Sequence, residues 1–256
     1  MTDISFLAAA LTLAPCKSFL ASLVGLLALL TLSGCLEESL EPSGRSLRQT
    51  FDIEGFDSVA VGNAISVSLE QGSEFRVVAE VDENYAPYLR VRRLGRTLHL
   101  DLEPDRATEG GQLSVTVSMP ELLSLRIDGS SSVTATGFRD PRSRSVELSG
   151  ASELEFSEAT AFEELELRLS GASSAYVEGT AERATLRGSG ASQLRLERLV
   201  TARADIGLSG ASSAAVHVEE SLSYELSGAS VLEYSGRPMV TEEQLSGAST
   251  VAHVLQ

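Results

Sequence analysis

Most of the residue types that do chemistry are scarce in this chain. Among 256 residues there are two cysteines (Cys16 and Cys35), three histidines (His99, His217 and His253), one lysine (Lys17) and no tryptophan. Both cysteines fall in the first 35 positions, so the body of the chain has no thiol for a disulfide, a nucleophile or a metal. The histidines lie far apart, which argues against a Ser-His-Asp constellation. Acids outnumber bases 36 to 20, for a net charge of −16. Nucleic acid is excluded as a partner, since its phosphates need a basic face. No uncharged apolar run reaches the roughly 20 residues of a membrane span. Beyond residue 50 the 3.6-residue period of an amphipathic helix is missing as well.

What is present begins with residues 19–32, FLASLVGLLALLTL, an apolar run of 14 preceded by Lys17. It has the length and flank of a secretory signal core. Leu32-Ser33-Gly34-Cys35 follows at once and resembles the lipobox of bacterial lipoproteins. That resemblance implies cleavage before Cys35, acylation of its thiol and new amino group, and a membrane partner reached through this lipid anchor. Leu36, and not Asp, in the next position favours the outer membrane by the sorting rule of some Gram-negative bacteria. Cleavage removes Asp3 and Lys17 together, so the mature charge stays at −16. Residues 36–50, LEESLEPSGRSLRQT, are expected as a polar tether. The chain thus divides into a signal at 1–34, a lipidated Cys with tether at 35–50, and one domain at 51–256.

That domain is dominated by a repeat. LSGAS stands at 148–152, 169–173, 208–212, 226–230 and 245–249, with GSGAS at 188–192. Its glycines, Gly150, Gly171, Gly190, Gly210, Gly228 and Gly247, are spaced by 21, 19, 20, 18 and 19 residues, and a weaker copy at Asp128-Gly129-Ser130-Ser131 makes seven. Leucine-rich repeats share the period but need a Leu ladder with an Asn and a helical return, which these segments lack. Period 2 prevails instead, as in Leu165-x-Leu167-x-Leu169 and Leu222-x-Tyr224-x-Leu226. Strand pairs every 20 residues predict an all-β solenoid, each coil pairing with the next at about 4.8 Å, with an antiparallel sandwich as the alternative. A sandwich gives no reason for identical small residues at one phase of every unit. In a solenoid they stack, and seven coils make a rod of roughly 34 Å.

Continued through the motif, the Leu-x-Gly-x-Ser phase places each Gly and second Ser (Ser152, Ser173, Ser192, Ser212, Ser230 and Ser249) on the inner side. Gly there lets the backbone bend or approach the opposite wall. The Ser can satisfy its hydroxyl on its own backbone or on the Ser of the next coil. The motif is therefore expected to be a structural corner. The first Ser and the Ala of each copy would face outward, as a flat strip suited to docking a sheet edge, a glycan chain or ice.

The mature chain resembles the family of putative auto-transporter adhesin, head GIN domain proteins. The repeated Ser-Gly-Ala-Ser strands carry the likeness, with Gly55-Phe56-Asp57-Ser58-Val59-Ala60-Val61, Ile65-Ser66-Val67-Ser68-Leu69-Glu70-Gln71-Gly72, Thr97-Leu98-His99-Leu100-Asp101 and Val115-Thr116-Val117-Ser118-Met119-Pro120 before them. The resemblance implies a right-handed β-helix-like fold on exported, often lipid-anchored bacterial proteins, and it brings no catalytic or ligand residues. The front half also alternates as strands and is expected to cap the solenoid and share its core. No cap is evident at Thr250–Gln256, which leaves that end open to self-association.

Enzymatic readings find little support. A polysaccharide-cleaving β-helix would cluster carboxylates on adjacent coils. The stacked outward series Glu147, Arg168, Arg187, Gly207, Glu225, Gln244 and Ser145, Glu166, Thr185, Asp205, Ser223, Glu242 place no two carboxylates on neighbouring coils. Glu147 and Arg168 are expected to pair. Calcium-loop spacing is absent from the acidic stretches, and no glycine-rich loop precedes a helix, so neither metal nor cofactor is expected. Two functions remain: an envelope-anchored, adhesin-like binding module for a glycan or protein, and a structural, self-associating envelope protein.

Overall fold

The computed structural model describes residues 41–103 and 110–254. The signal at 1–34, Cys35 and residues 36–40 lie outside the described residues. Apart from one turn of 3-10 helix at Ala86–Tyr88, every described element is a strand, and the 17 strands form one sheet. The molecule is a β-solenoid of coils of about 20 residues.

Four long strands, β11 (Glu153–Leu169), β12 (Ser174–Gly188), β13 (Gln193–Leu208) and β14 (Ser213–Leu226), pair in parallel, each in register with the next. Their registers shift near the middle, between Phe156 and Thr160 and between Leu196 and Val200, where the strands bend. A coil thus has two walls, joined by the Ser-Gly-Ala-Ser turn at one side and by the mid-strand bend at the other. In-register stacking sets like on like. Leu167, Leu186, Ile206 and Tyr224 form one inner column, and Leu154, Ala175, Leu194, Ala214 and Leu232 another. The second alternates large and small, so methyls of one coil fill the space left by the next. Gly188 completes this packing from the opposite wall, because a Cβ there would lie 2.8 Å from Leu208 and 3.0 Å from Leu194. Each fully buried Leu or Ile contributes about 1.5–3 kcal/mol.

Chain order and stacking order differ in the front half. β2 (Ser58–Val61) and β3 (Ser66–Gln71) form a coil, and so do β6 (Thr97–Leu102) with β7 (Leu113–Met119) and β8 (Ser124–Ile127) with β9 (Ser132–Thr136). The first of these lies between the other two: β2 pairs with both β6 and β8, and β3 with both β7 and β9. The repeats then continue from β8 and β9 onto β10 (Arg142–Leu148) and β11. Beyond the outermost coil the pairing turns antiparallel, with β5 (Leu89–Leu94) on β6, β4 (Arg76–Asp82) on β7, and β1 (Ser46–Phe51) on β4. The front half is therefore two coils plus a three-stranded cap, where the sequence suggests a cap alone.

The last coil, β16 (Met239–Leu245) and β17 (Thr250–His253), pairs with β14 and with β15 (Val231–Ser235) on one side only among the described residues. Met239 is 72% exposed and Leu245 47%. Arg144 closes a different gap, in the core. Buried at the start of β10, it donates to the carbonyls of Leu122 (3.1 Å), Ala161 (2.6 Å) and Asp140 (3.1 Å), with its guanidinium over the rings of Phe138 and Phe162. Burial pushes its pKa down to about 10, so it remains charged at neutral pH.

Candidate functional site

Each repeat motif makes the same four-residue turn. Gly150, Gly171, Gly190, Gly210, Gly228 and Gly247 have φ between 72° and 78°, the left-handed region that favours glycine. They stand exposed at the tip, not on the inner side, because the turn interrupts the alternation between Leu148 and Ser152, which are both buried. The close approach that the Gly permits is to the coil below: a Cβ on Gly171 would collide with the Gly150 carbonyl, and so on up the column. That carbonyl accepts from the next Ala N–H, as from Ala172 N to Gly150 O at 2.7 Å.

The second serines Ser152, Ser173, Ser192, Ser212 and Ser230 are at most 1% exposed, while Ser249 in the last coil is half-buried. Their hydroxyls donate back across the turn, as Ser152 to Ser149 O at 2.8 Å and Ser230 to Ser227 O at 2.7 Å. Ser192 instead donates to Ser212 of the next coil at 3.2 Å. Of the first serines, Ser149, Ser170, Ser189 and Ser227 are half-buried and Ser209 and Ser246 exposed; Ser170, Ser189 and Ser227 point their hydroxyls at a carbonyl of the preceding coil, 3.4 Å away. Of the expected outward strip, every alanine is exposed, but only two of the serines, Ser209 and Ser246.

A more distinctive surface lies beside this turn, on the wall of β10 and the second halves of β11 to β14. The two outward series stack in the expected register: Glu147 on Arg168, Arg168 on Arg187, Arg187 on Gly207, Gly207 on Glu225 and Glu225 on Gln244, with Ser145 through Glu242 alongside. The partners differ from expectation. Glu147 accepts from Arg126, one coil earlier, at 2.7 Å, and Arg168 pairs with Glu166 of its own strand. The Arg168 hydrogen bond, helped by Ser145 and by nearby Arg187, holds the Glu166 carboxyl below its ordinary pKa against the opposing effect of burial. Arg187 folds over Gly207 and pairs with Asp205 at 2.5 Å, while Ser223 donates to Asp205 at 3.0 Å.

Gly207 leaves a gap in the outward column, and a depression of about 510 Å³ opens around it. Its rim carries four carboxylates, Glu147, Asp205, Glu225 and Glu242, against two guanidiniums, Arg168 and Arg187. It crosses six coils from Glu147 to Glu242, a length of about 24 Å. The Gly in the series was visible in the sequence; that Arg187 folds over it beside the depression was not.

One arrangement escaped the sequence altogether. His217 Nδ1 lies 2.8 Å from Ser235 Oγ, and its Nε2 lies 2.7 Å from Glu219. The connectivity is that of a hydrolase relay, but Ser235 is only 3% exposed, so its hydroxyl is not presented to a substrate. His253 stacks on Tyr234 and lies 2.9 Å from Gly236 O, while His99 sits in the β6 ladder opposite Ala60. No group of three or more metal-ligating side chains occurs among the described residues.

The molecule is a parallel β-solenoid with a charged, grooved outer wall. The model of one family, putative auto-transporter adhesin, head GIN domain, matches residues 55–238, and the chain belongs to that family. Similar solved structures include a putative adhesin from Bacteroides fragilis NCTC 9343 (TM-score 0.73, 16% identity, 84% of this chain and 98% of that one). A putative adhesin from Parabacteroides merdae ATCC 43184 reaches 0.69 at 17% identity, over 84% and 99%. A putative lipid binding protein from Parabacteroides distasonis ATCC 8503 reaches 0.68 at 14%, over 85% and 100%. At these identities the likeness is one of fold. No curated protein matches the chain.

Proposed function

We propose that this protein is a non-catalytic, envelope-anchored binding module, held to the outer membrane by lipid on Cys35 and recognising a glycan or protein at the cell surface through its solenoid wall. The grooved wall around Gly207 carries the reading, because it is a concave, charged surface built from side chains that the core does not need. The apolar run at 19–32 and the Leu-Ser-Gly-Cys that follows support the anchor, and the adhesin description of the family agrees with it.

Protease shaving of intact cells tests the surface location. β1 is paired to β4, and Ser43 and Gly44 are bound to Asp82, so residues 43–50 are held to the domain and cleavage is expected ahead of Ser43. Release of the domain from intact cells, with a periplasmic control spared, is the expected outcome. Retention until the outer membrane is permeabilised would place it inside and overturn the surface role.

A second reading, structural self-association, is favoured by the last coil, where among the described residues β16 has one edge without a partner strand and Met239, Val240 and Leu245 are exposed.

A further inference from the structure

We infer that the depression at Gly207 is a groove for a linear glycan carrying free amino groups, lying along the solenoid axis. This rests on the binding-module reading and names the ligand class of that site. Three observations lead to it. The first is direction. The groove crosses β11, β12, β13 and β14, so it offers equivalent positions once per coil, about every 4.8 Å. A ligand that matches it is a polymer of similar units running across the strands.

The second is what the floor withholds. β12, β13 and β14 are paired with a strand on each side along this wall, so their backbone groups are satisfied and no edge is left for an added peptide strand. The aromatic residue at the groove, Tyr224, is 5% exposed, so no ring is offered for a neutral sugar to stack on. Burial and a hydrogen bond to Glu243 push its hydroxyl up to about 12, so it stays protonated. Recognition must come from polar side chains.

The third is charge. Of the four carboxylates, Asp205 is paired with Arg187 and Glu147 with Arg126, while Arg168 is engaged with Glu166, so Glu225 and Glu242 are left as uncompensated charge. Glu225 lies directly across from Gly207, and its carboxylate has no hydrogen bond or ion pair among the described residues. Glu242 is held in place by Gln244 at 2.7 Å. The groove therefore has unspent acceptors and negative charge, and it repels polyanions such as uronate chains. Ammonium groups spaced along a glycan meet this with charge-assisted hydrogen bonds, while the ring hydroxyls serve as further donors.

The test measures binding of the full chain, immobilised, to three oligomers: a β-1,4-linked glucosamine hexamer, its N-acetylated counterpart and an oligogalacturonate. The amino hexamer is expected to bind, to weaken with added salt, and to exceed the N-acetylated form by about ten-fold or more. Glu225→Gln removes the free carboxylate and is expected to cost about ten-fold. Gly207→Gln projects a side chain into the depression; the atoms nearest its new Cβ belong to the flexible Arg187 side chain, at 2.9 Å, which must give way, and an unchanged melting curve checks that the fold is retained. This variant is likewise expected to lose about ten-fold. Equal binding of the two hexamers with a silent Glu225→Gln would overturn the charge argument, and binding unaffected by Gly207→Gln would put the site elsewhere. If no amino glycan binds, this inference fails. The binding-module reading then survives if the chain still depletes a specific protein or other glycan from surface extracts, and falls with it if nothing is depleted.

Discussion

Gly190 shows how a single position in the repeat answers to two demands at once. Its φ of 76° disfavours any side chain, and a Cβ would also press on the Gly171 carbonyl at 2.6 Å, an atom fixed by its own bond to Ala191 N–H at 2.8 Å. Gly190→Ala is expected to destabilise by about 2–4 kcal/mol, the sum of a left-handed penalty and local overpacking. Ser192→Ala removes only the hydrogen bond to Ser212, for about 1 kcal/mol. Denaturant unfolding compares the two, and equal losses would mean that the glycine column is not under this constraint. The choice of Gly, Ala and Ser was legible in the sequence, since nothing larger fits a stacked turn. The direction in which the Gly faces was not, because period-2 counting cannot see a turn that takes up an even number of residues and restores the phase afterwards.

Strands behave differently at the two ends of the solenoid. β1 takes up the last residues of the expected tether and contains few apolar residues, yet it is docked on β4. The reason lies in Asp82, at the end of β4. Burial would raise its pKa, but the N–H groups of Ser43, Asn84 and Gly44 and the Ser43 hydroxyl all donate to its carboxylate and together hold it below the ordinary value. A lowered folded pKa means that the stabilisation is fully present above about pH 4 and is lost as the pH falls through the folded value. Asp82→Asn should reproduce that loss at neutral pH. The expected readout is faster amide exchange over residues 43–51 in the variant, and in the parent only under acid. Unchanged exchange in Asp82→Asn would show that the backbone ladder alone holds β1. None of this could be read from LEESLEPSGRSLRQT, since the partner carboxylate is about 40 residues away.

For the whole molecule, the parallel stack makes stability nearly one-dimensional: each coil touches its neighbours and little else. The front end is covered by β1, β4 and β5, and at the far end β16 and β17 are paired on one side only among the described residues. Hydrogen exchange in the dilute protein is therefore expected to be fastest in β16–β17, slow in the cap and slowest from β11 to β13. Protection of β16–β17 that rises with protein concentration would favour the self-association reading. Uniform protection at every concentration would contradict an open end.

The sequence by itself determined the solenoid, its period, and the outward series from Glu147 to Gln244, because in-register stacking turns equal spacing in the chain into contact in space. It also placed Gly207 within that series. Only the tertiary structure decided that the coil of β2 and β3 lies inside that of β6 and β7, that Arg144 serves three carbonyls in the core, and that His217 meets Ser235 and Glu219. The division has a physical reason. A repeat encodes the neighbour of every residue once per coil, whereas a non-repeating segment finds its partners by packing, and nothing in its local order announces them.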